Sequence, residues 1–157
     1  MSKFIGAHEC SVDSKGRVLF PGALKKQLSS VVNEGFVVKR SVFYECLELF
    51  PMDEWNKEVE TINKLNRFVK KNIDFIRMFM AGVKLVELDS SGRLLIAKDL
   101  IAYAGIKKDI VIASALNRIE IWDKAKYDAV INDKSVDFGT LAEDVMGQIN
   151  DNNDSSK

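Results

Sequence analysis

The stretch Asp13-Ser14-Lys15-Gly16-Arg17-Val18-Leu19-Phe20 returns 76 residues later as Asp89-Ser90-Ser91-Gly92-Arg93-Leu94-Leu95-Ile96. The same offset sets Gly6 on Gly82, Val12 on Leu88 and Leu24 on Leu100. Farther along, Phe36-Val37-Val38 resembles Ile110-Val111-Ile112. Leu47-Glu48-Leu49-Phe50 then resembles Ile119-Glu120-Ile121-Trp122, with a gap of two in the intervening loop. Chance readily supplies one such motif pair; it does not readily supply the motif and several flanking matches in the same order. The chain is therefore read as two copies of one unit, which constrains the fold more than any local propensity does.

Each copy reads as strand, tight turn, strand, short helix, strand, turn, strand. In the turn, Asp can accept backbone N–H bonds, Ser suits the second position, and Gly at the fourth tolerates positive φ. The β-rich runs that begin at Arg17 and Arg93 make the next strands. Pro21 opens the first short helix, as its fixed φ and missing N–H favour. Leu24 and Leu28 share the buried face of that helix. Ala97 stands at the equivalent point of copy two, whose helix is expected to stop at Gly105. The runs 46–50 and 118–122 alternate apolar and polar residues, which predicts half-buried final strands.

Between the copies, residues 52–81 are rich in helix formers and begin after Pro51. Trp55, Val59, Ile62 and Leu65 are spaced for one buried face, and Phe68, Ile73, Ile76, Phe79 and Met80 for a second helix. The break is expected near Asn66 or Asn72. The expected organisation is half-domain one over 4–52, a helical connector over 53–80, half-domain two over 81–124, a C-terminal helical segment over 125–149 and a disordered polar tail over 150–157. The fold class is α+β. Halves this small lie near the lower limit of independent stability, so each is expected to pack on the other.

Composition is that of a soluble globular chain. No apolar run approaches the ~20 residues that span a bilayer, and the first residues are too polar for a signal peptide. The expected compartment is the cytoplasm, without membrane contact. Cys10 and Cys46 read as small core residues. With one His and two distant Cys, no common zinc site is expected, nor any cofactor. Neither a phosphate-binding glycine loop nor a nucleophile–base pair is evident, so an enzyme is not expected. The net charge is zero, but residues 137–157 carry −4 and residues 1–136 carry +4. A mildly basic body permits nucleic-acid binding.

The quoted motifs resemble one known family. Gly6, the run 13–21, Leu49-Phe50-Pro51-Met52-Asp53-Glu54-Trp55, the run 75–82, the run 89–93 and Ile119-Glu120-Ile121-Trp122 look like the MraZ family, within the wider AbrB-like group of transcription factors. The likeness covers about residues 4–130. Ala97 departs from it, since the family usually has Pro there. The resemblance implies AbrB-like halves interlocked in a double-split β-barrel with flanking helices, and a ring-shaped homo-oligomer. It also implies a nucleoid-associated regulator that binds double-stranded DNA. The implied target is short direct repeats in the promoter ahead of the division and cell-wall gene cluster, its own gene included.

Arginine can bond guanine O6 and N7 with two parallel donors, or clamp a phosphate, provided its base is rigid. By resemblance Arg17 is the first DNA-reading candidate and Arg93 its counterpart. Lys15, at the turn tip, is a phosphate candidate. Asp13 and Asp89 complete the expected DNA-binding set, chiefly as turn-builders that orient the arginines. Simple Asp–Arg pairing within each turn is the competing reading. Lys25, Lys26, Lys39 and Arg40 are secondary backbone-contact candidates, with a solvated surface at least as good an account. The basic run Lys64, Arg67, Lys70 and Lys71 fits water or a subunit contact, and Phe43 and Tyr44 fit an interface or closure of the barrel. The alternative function is a ring scaffold or protein-binding adaptor without DNA activity. An antitoxin-like regulator that holds a partner protein through its tail is a further one.

Overall fold

Both copies fold into the same succession of elements in the computed structural model, which describes residues 3–31 and 34–154. Copy one supplies β1 (Ala7–Ser11), β2 (Arg17–Leu19), α1 (Gly22–Gln27), β3 (Phe36–Arg40) and β4 (Leu47–Pro51). The connector is α2 (Met52–Asn63) and α3 (Lys70–Met80). Copy two supplies β5 (Lys84–Val86), β6 (Arg93–Leu95), α4 (Lys98–Ala104), β7 (Asp109–Ala115) and β8 (Arg118–Asp123). Two helices follow, α5 (Lys124–Ile131) and α6 (Phe138–Asp154). The fold is α+β, and the chain divides into compact units at residues 1–127 and 128–157.

Neither copy makes a sheet of its own. The antiparallel six-stranded sheet runs β1-β7-β8-β4-β3-β5, so the first strand of each copy lies on the third strand of the other. With equivalent strands matched, the order reads the same from both ends, and an internal pseudo-twofold axis falls between β4 and β8. Across it Leu47 faces Ile121, Glu48 faces Glu120 and Leu49 faces Ile119. A separate two-stranded ribbon, β2 with β6, lies on the same symmetry, since Val18 faces its own counterpart Leu94. No pairing among the described residues joins the edge strands β1 and β5. The main core is built from such equivalents: Val18 and Leu94, Leu24 and Leu100, Phe36 and Ile110, Leu49 and Ile121.

The helix signals act as their chemistry demands. Ala97 adopts φ −65°, ψ 150°, close to Pro21 at φ −56°, ψ 128°, so the missing proline leaves the start of α4 unchanged. Gly105 ends α4 in the left-handed region, at φ 61°. The break between connector helices falls at Asn66, whose Oδ1 accepts from the Phe68 N at 3.0 Å; Asn72 lies inside α3.

Several burial expectations need correction. β4 is buried on both faces rather than one, because Trp55 of α2 and Phe79 of α3 pack with Val37 and Phe50 over its second face. On α2, Val59 is 37% exposed, while Glu54 is buried and bonded to Lys57 and Asn117. Phe68 precedes α3 and is 100% exposed. The polar tail expected from residue 150 is helical as far as Asp154; Ser155, Ser156 and Lys157 lie outside the described residues. Phe138, Leu141 and Val145 recur at helical spacing in α6, and Asp137 Oδ2 accepts from the Thr140 N at 3.1 Å, the bond an N-cap makes. No described helix is long and apolar enough to cross a membrane.

Candidate nucleic-acid interface

The two Asp-x-x-Gly-Arg segments form near-identical loops at the ribbon. Asp13 Oδ1 accepts from the backbone N of Lys15 and of Arg17, both at 2.9 Å, and Oδ2 accepts from Arg17 Nε at 2.7 Å. Asp89 Oδ1 accepts from the backbone N of Ser91 and of Arg93, both at 2.9 Å, and Oδ2 from Arg93 Nε at 3.0 Å. The backbone bond from each loop's own arginine is the chief cause holding Asp13 and Asp89 below the usual carboxylate range. Both carboxylates are open to water, so these ion pairs contribute little stability. Their effect is geometric: each fixes one edge of a guanidinium. Among the described residues, no hydrogen bond occupies the terminal Nη atoms of Arg17 or Arg93, whose side chains are 34% and 36% exposed. Asp–Arg pairing and an open donor edge thus coexist.

Strand alternation sets what accompanies the arginines. Val18 and Leu94 point into the core, so Arg17, Leu19, Arg93 and Leu95 share the outer face. Arg17 lies opposite Leu95, and Arg93 opposite Leu19. Strand rise and spacing put the two arginine Cα atoms about 8 Å apart. Leu19 and Leu95 are 65% and 57% exposed. No motif singles out these two leucines in the sequence, but their period-two spacing from the arginines places them on the same face.

Gly16 and Gly92 hold the loops at φ +83° and +77°. A Cβ on Gly16 would stand 2.6 Å from the Ile96 carbonyl oxygen, whereas one on Gly92 would meet only the Lys25 Nζ, at 3.4 Å. Gly92→Ala is therefore expected to cost the positive-φ strain alone, roughly 1–2 kcal/mol. Gly16→Ala must also displace backbone and is expected to lose more than about 2 kcal/mol. Urea unfolding of the two variants checks this; equal losses would contradict it.

Of the other predicted cations, Lys15, Lys25 and Lys26 are exposed. Lys39 and Arg40 are not available to DNA. Lys39 is buried, bonds the Arg40 carbonyl and Glu48 Oε1, and lies 4.3 Å from the Phe79 ring centroid. Arg40 donates to the carbonyls of Met78 and Ala81, at 2.6 and 3.1 Å, and so ties down the end of α3. Lys39 and Arg118 also offset the Glu48–Glu120 opposition at the pseudo-twofold axis, through Glu48. Tyr44 packs on Trp122 at 5.7 Å, while Phe43 is exposed. Burial pushes the Cys10 thiol up and the Cys46 thiol up to about 12, so neither is a ready nucleophile at neutral pH.

Comparison with known proteins agrees with this doubled geometry. The MraZ protein family model matches the chain twice in tandem, over residues 3–77 and 78–148. The chain is similar to the transcriptional regulator MraZ of Flavobacterium psychrophilum, 59% identical over 151 residues, covering 96% of each chain. It is similar to that of Christiangramia forsetii, 59% identical over 147 residues, covering 94% of this chain and 95% of the relative. The likeness to that of Cytophaga hutchinsonii is 38% over 143 residues, covering 91% and 94%.

Proposed function

The chain belongs to the MraZ family, and from that premise we propose that it is a transcription regulator that binds double-stranded DNA sequence-specifically through loops 13–17 and 89–93. One observation carries this reading: two arginines, each fixed by its own aspartate, share one exposed ribbon with their outer donor edges open. Arg17 and Arg93 read base edges or clamp phosphate, Lys15 meets phosphate, and Asp13 and Asp89 orient the arginines. The regulator names of the relatives, rather than any enzyme's, support the same class. The proposed target is short direct repeats in the promoter ahead of the division and cell-wall genes, the chain's own gene included. The proposed location is the cytoplasm, on the nucleoid.

The halves interlock through β1–β7 and β5–β3, which supports the double-split barrel as the wider architecture. A ring-shaped homo-oligomer is part of the proposal. Exposed Phe43, Phe68 and Met78 support it, since apolar side chains of this size favour association. Exposed Leu19 and Leu95 also favour one competing reading, a protein-binding adaptor without DNA activity. Selection of bound duplexes from a random pool tests the proposal. The expected product is a short element recurring at fixed spacing; a pool that stays random would overturn it.

A further inference from the structure

We propose that Lys25, on α1, supplies the second loop with the phosphate-binding cation that the first loop carries in its own turn as Lys15. This rests on the DNA-binding reading above. The repeat makes the asymmetry explicit: the counterpart of Lys15 is Ser91, and the counterpart of Lys25 is Ile101. Loop two, read alone, therefore lacks a lysine.

The ribbon restores it by crossing the copies over. The Phe20 N donates to the Gly92 carbonyl at 3.0 Å, and the Ile96 N donates to the Gly16 carbonyl at 2.8 Å. Each short helix consequently starts beside the other copy's loop. Ile101 Cδ1 lies 3.4 Å from where a Cβ on Gly16 would stand, and Lys25 Nζ lies 3.4 Å from the same point on Gly92. One helical position reaches the opposite glycine in both copies. At loop one the turn brings the lysine and the helix an apolar side chain. At loop two the turn brings a serine and the helix the lysine. Arg17 thereby has Lys15 in its own turn, and Arg93 has Lys25 across the copies.

Lys25 is held where this role needs it. Leu24 and Leu28 are fully buried beneath α1, and the Gln27 side chain exchanges two 3.0 Å bonds with the Ile5 backbone. Among the described residues, no hydrogen bond or ion pair engages the Lys25 ammonium, in contrast to Lys39 and Arg40. An ammonium is a point charge suited to phosphate rather than to a base edge. Its contribution belongs in the salt dependence, alike on any sequence.

The test is the salt dependence of affinity for a selected duplex and a scrambled one. Four proteins are compared: wild type, Lys15→Ala, Lys25→Ala and the double variant Lys25→Ala with Ser91→Lys. Lys25→Ala is expected to flatten the log–log slope by about 0.9 per engaged subunit, as Lys15→Ala does. It should weaken both duplexes by the same factor, with an unchanged unfolding midpoint. Ser91→Lys, which rebuilds loop one's arrangement in loop two, is expected to restore the slope. An unmoved slope in Lys25→Ala, a loss confined to the selected duplex, or no rescue by Ser91→Lys would each overturn the proposal while leaving DNA binding standing. A wild-type protein with no salt-dependent DNA binding would overturn the DNA reading itself, and this inference with it.

Discussion

Cutting a multi-repeat DNA site to a single repeat is expected to weaken binding by ~10²–10⁴-fold. One ribbon offers two arginines and few lysines, so a single subunit neutralises few phosphates and binds weakly. Charge adds little general attraction, because the +4 of residues 1–136 is offset by the −4 of residues 137–157. In the proposed ring, several ribbons would engage several repeats, and every contact after the first would be intramolecular. Affinity then depends steeply on repeat number and on spacing, with no new contact chemistry. Fluorescence anisotropy on duplexes of one to four repeats measures this, with light scattering for the size of the free protein. One repeat bound as tightly as four, or a stable monomer at micromolar concentration, would contradict it.

Arg17→Ala is expected to abolish specific binding while the protein stays folded. A good bidentate arginine contact is worth ~1–3 kcal/mol of discrimination, and the loss recurs in every subunit that engages DNA. The fold should survive, because Asp13 lies open to water and keeps its bonds to the backbone of Lys15 and Arg17. Arg17→Lys separates charge from geometry: it keeps a cation and loses the fork and the Nε bond to Asp13. It is expected to retain weak, sequence-blind binding. Mobility shifts on selected and scrambled duplexes, beside circular dichroism, give the answer. An Arg17→Ala protein with unchanged selectivity would sink the assigned role.

The loops were legible in the sequence because their chemistry is local. Asp, Gly and Arg at fixed offsets specify the turn, its positive φ and the carboxylate–guanidinium bond without reference to the rest of the chain. The order of elements was legible for the same reason, from Pro21, Gly105 and the period-two runs. Pairing across the copies was not: nothing local in residues 7–11 says that the neighbour of β1 is β7. Lys39 and Arg40 looked like the polar end of a strand. The burial of Lys39 depends on α2 and α3 covering its face, and the bonding of Arg40 on the end of α3 lying within reach, which no local window contains. Phe68 failed in the opposite direction. Its spacing suited a buried helical face, but it lies in the connector before α3 begins. The cation at loop two was hidden for a further reason, since it lies in the other copy of the repeat.

The most direct measurement is the affinity of the wild-type protein for a selected duplex and for a scrambled duplex of equal length, across a series of salt concentrations. The account predicts that log K falls linearly with log salt, with a slope worth several phosphates. It also predicts that the selected duplex binds tighter by ~10³-fold or more at physiological salt. Equal affinities for the two duplexes, or binding insensitive to salt, would contradict sequence-specific recognition through the paired loops.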